Sequence, residues 1–409
     1  MVDFSHLYSD RAGKMRGSVI RELLKVTQDP EIISFAGGLP NPKSFPMGDI
    51  NSVLDLVMKH YGKTSLQYGT THGLDELREN LAERASKDGI NTTKDNIIIT
   101  NGSQQSLDAI GKIFLNPGDT AIVGLPTYLG GINAFRSYEC NLVGVPLDKD
   151  GMRVDILEDT IIKLLKEDIH PKFIYVIPSF QNPAGVVMPE SRRKKLIEIS
   201  NEYNLVVIED DPYGKLRYDG PAVKPIKAYD DVGRVIYIST FSKILAPGFR
   251  VAWNISSDEI TRKIALCKQA LDLCTSTFTQ YVVNEFMRLG SLDLHIMKIC
   301  EMYKPKRDIM MKSMEKYFPK GYICHKPNGG LFAWVTLQEG IDTEIMFLDA
   351  IKQKVAYVHG KAFHVDGKGE KSMRLNFSYS TDEQLEEGTK RLGNVINEKL
   401  EKMKIGVKT

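Results

Sequence analysis

A run of apolar residues that ends in three carboxylates, Leu205-Val206-Val207-Ile208-Glu209-Asp210-Asp211, is typical of the middle of this chain. Such a short, Val- and Ile-rich run predicts a strand that is buried on both faces of a mainly parallel sheet. Further runs of the same character, each followed by polar or Gly/Pro-rich residues, are Ile97–Thr100, Ala121–Val123, Leu142–Val145, Phe173–Ile177, Val235–Ile238 and Val251–Trp253. Helical periodicity fills the intervals, as in Ser103–Leu115 and Arg153–Ile169. The alternation predicts a doubly wound α/β sheet.

The last third of the chain has a different pattern. Residues Ser291–Tyr317 read as one long charged helix in which Pro305 is a candidate point of interruption. Two strand-like segments follow, Gly330–Leu337 and Ser372–Ser378, and then a terminal helix that opens with Thr381 and Gln384 in capping-box spacing. We therefore expect an N-terminal segment (1–45) that packs with a small C-terminal α+β domain (291–409), and a large domain between them (46–290).

Composition excludes several classes of protein. The 409 residues carry 54 Lys+Arg and 52 Asp+Glu, a formal net charge of +2, and this balance argues against a nucleic-acid or membrane-surface partner. No apolar stretch is long enough to span a bilayer, and residues 1–15 lack the apolar core of a signal peptide. The five cysteines are scattered and form no CxxC pair. We expect a cytoplasmic, metal-free globular protein.

Polar groups follow five of the predicted strands. Because ligands bind outside the carboxyl ends of strands in open α/β sheets, these groups are expected to converge on one crevice. They are Gly102-Ser103-Gln104 at a helix start, Tyr128, Asn182 within Gln181-Asn182-Pro183, Asp210 and Tyr213, and Thr240, Ser242 and Lys243 with Arg250 shortly after. Any one of them has an ordinary structural explanation, such as an N-cap or a turn.

Taken together, these groups match one ligand, pyridoxal 5'-phosphate (PLP). Its aldehyde needs a lysine, its phosphate needs N–H groups, hydroxyls and an arginine, and its phenolic oxygen needs an amide. Its ring needs a stacking face, and its pyridine nitrogen needs a carboxylate. The nucleotide-binding motifs GxxxxGK[ST] and GxGxxG after a strand are absent from the sequence.

Nearly the whole chain resembles the fold-type I, class I/II aminotransferases in a series of short sequence blocks. It looks closest to the kynurenine/2-aminoadipate branch, which includes enzymes of lysine biosynthesis and multi-substrate aromatic or branched-chain enzymes. The blocks that carry the resemblance are Ser18–Leu24, Ser34–Pro40, Leu66–Gly69, Gly102–Gln105, Pro178–Pro183, Glu209–Tyr213, Ser242-Lys243 with Arg250, and Met373–Phe377.

The resemblance implies a role for each matching residue. Lys243 would form the internal aldimine and later move the proton, with Asp210 on the pyridinium nitrogen. The other cofactor ligands would be Asn182 and Tyr213 on the ring oxygen, Tyr128 on the ring face, and Gly102, Ser103, Gln104, Thr240, Ser242 and Arg250 around the phosphate, with Tyr68 from a second subunit of a homodimer. Substrate would meet Arg374 through its α-carboxylate, together with Asn182, Tyr68 and the Gly38 loop. Arg21, on an N-terminal helix, would meet a distal carboxylate, although an ion pair with Glu22 or Asp29 is an equal alternative. Ala246-Pro247 stands where relatives have small hydroxyl residues. The resemblance therefore does not define which groups contact the phosphate at this point.

The predicted reaction is a ping-pong, aldimine/ketimine transfer of an amino group. The donor is an L-2-amino acid of the 2-aminoadipate, aromatic or branched-chain type, and the acceptor is a 2-oxo acid such as 2-oxoglutarate. A PLP-dependent carbon–sulfur or aminocyclopropane-type lyase is the first alternative. A non-enzymatic effector-binding module is the second.

Overall fold

The computed structural model describes residues 3–14, 17 and 29–406. The helices in these ranges are α1 Asp10–Lys14, α2 Met47–Ser65, α3 Asp75–Lys87, α4 Ser103–Phe114, α5 Leu129–Arg136, α6 Val154–Lys166, α7 Glu190–Glu202, α8 Asp258–Asp272, α9 Thr277–Arg288, α10 Ser291–Tyr317, α11 Thr343–Lys352 and α12 Asp382–Gly406. The strands are β1 Ile33–Ser34, β2 Ile97–Thr100, β3 Thr120–Leu125, β4 Asn141–Asp148, β5 Gly151–Met152, β6 Phe173–Val176, β7 Val206–Asp210, β8 Val235–Thr240, β9 Ala252–Ile255, β10 Phe332–Thr336, β11 Val355–Ala356, β12 Val358–His359 and β13 Ser372–Asn376.

The largest sheet has eight strands in the order β2-β9-β8-β7-β6-β3-β4-β5. Five neighbouring strands in this order, β8, β7, β6, β3 and β4, are parallel to one another. Strand β9 pairs antiparallel with both β2 and β8. This order confirms the predicted α/β class with a mainly parallel sheet. It also brings the carboxyl ends of β2, β3, β6, β7 and β8 to one edge, because β2 runs in the same direction as β8.

The period-two alternation of the strands divides the core between the two faces of this sheet. On β6, Phe173 and Tyr175 pack with residues of α4, α5 and α8, whereas Ile174 and Val176 pack with residues of α6 and α7. Both faces are therefore covered by helices, which explains why the strands read as unbroken apolar runs rather than as alternating ones.

A second, three-stranded sheet has the order β10-β13-β12 and is antiparallel. It packs in its own apolar cluster with α11, α12 and the segment that contains β1, where Ile33 and Ser34 pair with Val355 and Ala356. The capping box that opens α12 is present as predicted: Thr381 N donates to Gln384 Oε1 over 3.0 Å, and Gln384 N donates to Thr381 Oγ1 over 3.2 Å.

Helix α10 links the two cores. Its first half contributes Leu292 to Tyr303 to the cluster beside the large sheet, and its second half contributes Met310 and Met314 to the cluster beside the small one. The helix is continuous through Pro305, so the interruption considered there does not occur. In the described part of the chain, no helix combines the length and the apolar character that a membrane crossing requires.

Candidate active site

A cavity of about 520 Å³ opens at the carboxyl edge of the large sheet. Most of the residues predicted from the sequence line it: Gly38, Ser103, Gln104, Tyr128, Asn182, Asp210, Tyr213, Thr240, Ser242, Lys243, Arg250 and Arg374. Gly102 directly precedes this set at the start of α4. Tyr68 is 80% exposed and does not line the cavity in this single chain. Arg21 lies outside the described residues.

Lys243 follows β8 and is the only lysine among the residues that line this described cavity. Its Nζ donates to the carbonyl of Gly38 over 2.8 Å. Desolvation in the cavity, and then the positive charges of Arg374 and Arg250, lower the pKa of Lys243 to about 8. About a tenth of this amine is therefore neutral, and nucleophilic, at pH 7, far more than for an ordinary lysine.

Asp210 is the last residue of β7 and is buried. Its Oδ2 accepts a hydrogen bond of 2.7 Å from the hydroxyl of Tyr175, and its Oδ1 is buried with no partner among the described residues. Desolvation raises the pKa of Asp210 to about 7; the bond from Tyr175 opposes this rise and the charge of Asp211 adds to it. Because Asp210 also lines the cavity, this oxygen is available to accept a hydrogen bond from a ligand bound there.

Arg193 of α7 lies near two of the three successive carboxylates at the end of β7, Glu209 and Asp211. Its side chain is fully buried and Nη1 lies 4.0 Å from Oε1 of Glu209. The guanidinium also donates to four oxygens over 2.9–3.0 Å, namely the carbonyls of Met188, Pro178 and Lys224 and Oγ of Ser179. Three successive carboxylates repel one another and require a nearby cation, but the sequence does not identify Arg193 as that cation, because it sits on a helix rich in surface charge.

The turn at the start of α4 forms the anion-binding end of the cavity. Gly102 has a φ of +80°, and a Cβ at this position would fall inside the guanidinium of Arg250. Arg250 Nη2 donates to the Asn101 carbonyl over 3.1 Å. The hydroxyls of Thr240 and Ser242 add two more polar groups to the lining. Thr240 Oγ1 donates a hydrogen bond to Ser242 Oγ over 2.9 Å. A helix N-terminus with an arginine and two hydroxyls is a phosphate-binding arrangement.

A buried network holds this turn from behind. Oδ2 of Asp272, at the end of α8, accepts from Asn101 Nδ2 over 2.5 Å and from Gln105 Nε2 over 2.8 Å. Lys268, which is only 1% exposed, donates to both carboxylate oxygens of Asp272 over 2.8 and 2.9 Å. The network was not predicted, since Lys268 and Asp272 lie on one helix and their partners Asn101 and Gln105 lie more than 160 positions away in sequence.

Arg374 reaches the cavity from β13 of the small sheet. Its Nη1 donates to Asn182 Oδ1 over 3.0 Å and its Nη2 to the carbonyl of Ala36 over 2.7 Å, while Nε has no partner within the described ranges. The guanidinium lies 4.2 Å from the ring centroid of Phe332. Desolvation lowers the pKa of Arg374 to about 10, so it remains a cation at neutral pH.

Two aromatic hydroxyls complete the lining. Desolvation raises the pKa of Tyr213, which keeps its phenol neutral, and the side chain of Asn182 nearby opposes this rise. Tyr128 stands at the start of α5, where a Cβ on Gly130 would overlap its ring. The carbonyl of Gly130 accepts from Gln104 Nε2 over 2.9 Å, which ties α5 to the anion-binding turn.

These groups together offer an amine, a carboxylate with one free oxygen, an anion-binding turn and a buried guanidinium around one space. Comparison with known proteins agrees with this chemistry. The family model described as "Aminotransferase class I and II" matches residues 44–392. The aromatic-amino-acid aminotransferase 1 of Thermococcus litoralis is 48% identical over 98% of this chain and 96% of its own length.

Two solved structures are also similar. The kynurenine aminotransferase of Pyrococcus horikoshii, in complex with PMP, is 48% identical with a TM-score of 0.95, over 97% of this chain and 98% of that one. LysN, the α-aminoadipate aminotransferase of Thermus thermophilus complexed with N-(5'-phosphopyridoxyl)-L-leucine, is 34% identical with a TM-score of 0.90, over 98% and 99%. This chain belongs to the class I and II aminotransferase family. It is a PLP-dependent aminotransferase that acts on amino acid and 2-oxo acid substrates, as predicted.

The residues present fit the cofactor. The free Oδ1 of Asp210 supplies a buried acceptor for a protonated ring nitrogen, and the backbone at Gly102 leaves room for Arg250 at the anion-binding turn. The amine of Lys243 lies in the same cavity.

Proposed function

We propose that this enzyme transfers the amino group of bulky apolar L-2-amino acids, aromatic ones foremost, to 2-oxoglutarate. The observation that carries the proposal is the composition of one cavity, in which Lys243, Asp210 and Arg374 share a space whose wall is otherwise largely apolar. The apolar part of the wall consists of Leu39, Leu129, Ile177 and Phe332. The names of the aromatic and kynurenine relatives support the same substrate class.

Bound PLP supplies an electron sink that stabilises negative charge at the substrate Cα. Lys243 would hold the cofactor covalently and then, as a free amine, would take the proton from the substrate Cα and return it to the cofactor carbon on the other side of the linking nitrogen. Its lowered pKa supports this role, because a base must be neutral before it can accept a proton.

Asp210, Asn182 and Tyr213 orient the cofactor ring. The free oxygen of Asp210 would accept from the ring nitrogen and keep it protonated, while the Asn182 amide and the Tyr213 hydroxyl would donate to the ring oxygen. Tyr128 would cover the ring face. Gly102 and Ser103 of the α4 turn would hold the phosphate, with Gln104, Thr240, Ser242 and Arg250.

Arg374 binds the α-carboxylate that every donor and acceptor shares. The proposal is supported by its unpaired Nε and by its desolvated position, where a charge-assisted bond to a carboxylate is strong. Asn182 already touches Arg374, so one amide would orient both cofactor and substrate. The Gly38 segment covers the substrate, and Arg21 would meet a distal carboxylate such as that of 2-oxoglutarate.

We also propose a homodimer with shared active sites. Tyr68 is 80% exposed in the single chain, and Leu66 beside it is 69% exposed. Exposed apolar side chains in one loop support a protein contact there, and Tyr68 would reach the phosphate of the neighbouring subunit. Analytical ultracentrifugation of the wild type and of Leu66→Asp tests this association.

The division into a large domain (46–290) and a small domain (291–409) with an N-terminal segment (1–45) also remains a proposal. The separate apolar clusters beside the two sheets support it. A cytoplasmic location is proposed as well. It is supported by five unpaired cysteine thiols, since reduced thiols are usual in that compartment.

A panel of amino donors tests the substrate class. With 2-oxoglutarate as acceptor, phenylalanine, tyrosine and kynurenine should give kcat/KM values at least about tenfold above those of alanine and aspartate. Preference for aspartate would contradict the apolar assignment. A stopped-flow half-reaction tests the reaction class, since an aminotransferase converts its cofactor stoichiometrically to the pyridoxamine form, whereas a lyase releases ammonia and a 2-oxo acid.

A further inference from the structure

Tyr175 lies next to Asp210 but outside the cavity lining. It is the third residue of β6, fully buried in the cluster between the large sheet and helices α4, α5 and α8. β6 pairs in parallel with β7, and the hydroxyl of Tyr175 crosses to the neighbouring strand to donate to Asp210 Oδ2 over 2.7 Å. This tyrosine is thus one step removed from the groups that would contact the cofactor.

The bond from Tyr175 leaves the two oxygens of Asp210 in different states. Oδ2 has a fixed donor, whereas Oδ1 is buried and has none within the described residues. A carboxylate free to rotate would present either oxygen, in several orientations. With one oxygen fixed, the direction of the other is determined by the protein rather than by the ligand.

We propose that Tyr175 is a positioning residue for the reaction: its hydroxyl fixes one oxygen of Asp210 and so aims the other at the pyridine nitrogen of the cofactor. The inference rests on the proposed role of Asp210. The bond from Tyr175 also stabilises the ionised carboxylate of Asp210. The proton shared between Asp210 and the cofactor nitrogen would therefore stay on the nitrogen.

Gly131 of α5 makes room for this tyrosine. A Cβ at position 131 would lie 3.0 Å from two ring atoms of Tyr175 and 3.1 Å from its hydroxyl oxygen. Such contacts are tighter than most packed side chains make, so a methyl group there should displace the ring by a few tenths of an ångström. The absence of a side chain at 131 therefore contributes to the geometry of the Tyr175–Asp210 bond.

The test compares Tyr175→Phe with Tyr357→Phe in the PLP-loaded enzyme. Tyr357 is equally buried and its hydroxyl donates to the Thr343 carbonyl over 2.6 Å, outside the cavity lining, so its variant controls for the loss of a buried hydroxyl. The first readout is the pH midpoint at which the absorbance of the lysine-bound cofactor changes. The second is the rate of the half-reaction with phenylalanine.

Tyr175→Phe should raise the pH midpoint of the absorbance change by about half a pH unit or more, and it should slow the half-reaction about tenfold. Without the tyrosine, Asp210 draws the proton from the cofactor nitrogen, the ring loses positive charge, and the nitrogen that joins it to Lys243 becomes more basic. Tyr357→Phe should leave both readouts unchanged. The other titratable or charged groups around the pair are unaltered in both variants: Asp211, Tyr128, Tyr213, Lys243, Arg250 and Arg374.

Gly131→Ala provides a second, independent perturbation. It should shift the midpoint in the same direction but less, and it should add nothing in a Tyr175→Phe background, because the hydroxyl it displaces is then absent. Identical readouts for Tyr175→Phe and Tyr357→Phe would overturn the proposal. Asp210→Asn separates the two failures: a large change there with none at Tyr175 rejects only this inference, while no change in either variant rejects the proposed role of Asp210.

Discussion

The guanidinium of Arg374 donates to the amide oxygen of Asn182 over 3.0 Å, and this bond joins the small sheet to the loop that follows β6 of the large one. The two residues are 192 positions apart in sequence. Because Asn182 lines the same cavity as Tyr213, the proposed substrate ligand and the proposed cofactor ligands form one connected set. Displacement of either sheet therefore alters both binding functions at once.

Arg374→Lys tests the substrate half of this set. A lysine keeps the charge but loses the planar fork that bonds Asn182 and Ala36, so kcat/KM should fall by about 100-fold, mainly through KM. Steady-state kinetics with phenylalanine measure this. Arg217→Lys, a half-buried arginine that does not line the cavity, is the control. An unchanged KM in Arg374→Lys would contradict the assignment.

Lys243→Ala tests the covalent attachment. The variant should bind PLP without forming a borohydride-reducible bond, and turnover should drop by at least about 1,000-fold, since both the linkage and the base are lost. Mass spectrometry after borohydride reduction detects the bond. Lys172→Ala, which removes a partly exposed ion pair with Asp119, is the control and should retain the reducible bond to PLP. A reduced adduct at another lysine with normal turnover would refute the role of Lys243.

Asp272→Asn tests the network behind the anion-binding turn. Loss of the carboxylate weakens the bonds to Asn101 and Gln105 and leaves Lys268 buried without its counter-charge. The dissociation constant for PLP should rise about tenfold, while kcat at saturating PLP changes by less than about twofold. Equilibrium dialysis of the apoenzyme measures the first quantity, with the exposed Glu259→Gln on the same helix as control. An equal loss of kcat would indicate a wider structural role.

Asp210→Asn should stabilise the apoenzyme at neutral pH. The carboxyl binds its proton more tightly in the folded chain, with a pKa of about 7, than at its ordinary value of 3.8, so the folded state loses stability as pH rises between these values. The variant lacks this penalty. Its unfolding free energy should exceed that of the wild-type apoenzyme by up to about 4 kcal/mol at pH 8 and converge with it near pH 4. Urea unfolding across this range checks the sign, and PLP should reverse the order.

Arg193→Met should destabilise the protein by at least about 3 kcal/mol, because it leaves Glu209 without its cation and removes a donor from four oxygens, of which the Pro178 carbonyl keeps its bond from Met188 N. The adjacent Lys194→Met removes an exposed ion pair with Glu190 and a cation–π contact with Tyr229, and it should cost less than about 1 kcal/mol. Urea unfolding of both variants gives the difference. Equal stabilities would show that the carboxylates are neutral in the folded protein.

Much of the fold was predictable from the sequence because strands buried on both faces form unbroken apolar runs, which are easily recognised. The runs at Phe173, Val235 and their neighbours become strands of one sheet, and their polar successors meet at one edge. The direction of β9 was not predictable, since an apolar run carries no information about the orientation of its partner.

The supporting residues escaped sequence reasoning for a physical reason. Tyr175 reads as one more apolar strand residue, and its hydroxyl matters only because β6 and β7 pair in the observed register. Arg193 reads as a surface charge until the packing of α7 buries it. Long-range contacts of this kind depend on tertiary structure, which local periodicity does not encode.

The paired glycines Gly130 and Gly131 have a practical consequence for redesign of the enzyme. Each leaves space for a different tyrosine, Tyr128 on the cavity side and Tyr175 on the strand side. Mutagenesis libraries that aim to enlarge the donor range at the adjacent Leu129 should therefore keep both glycines fixed. A library that randomises the three positions together would lose most of its members to misplaced tyrosines before substrate preference could be selected.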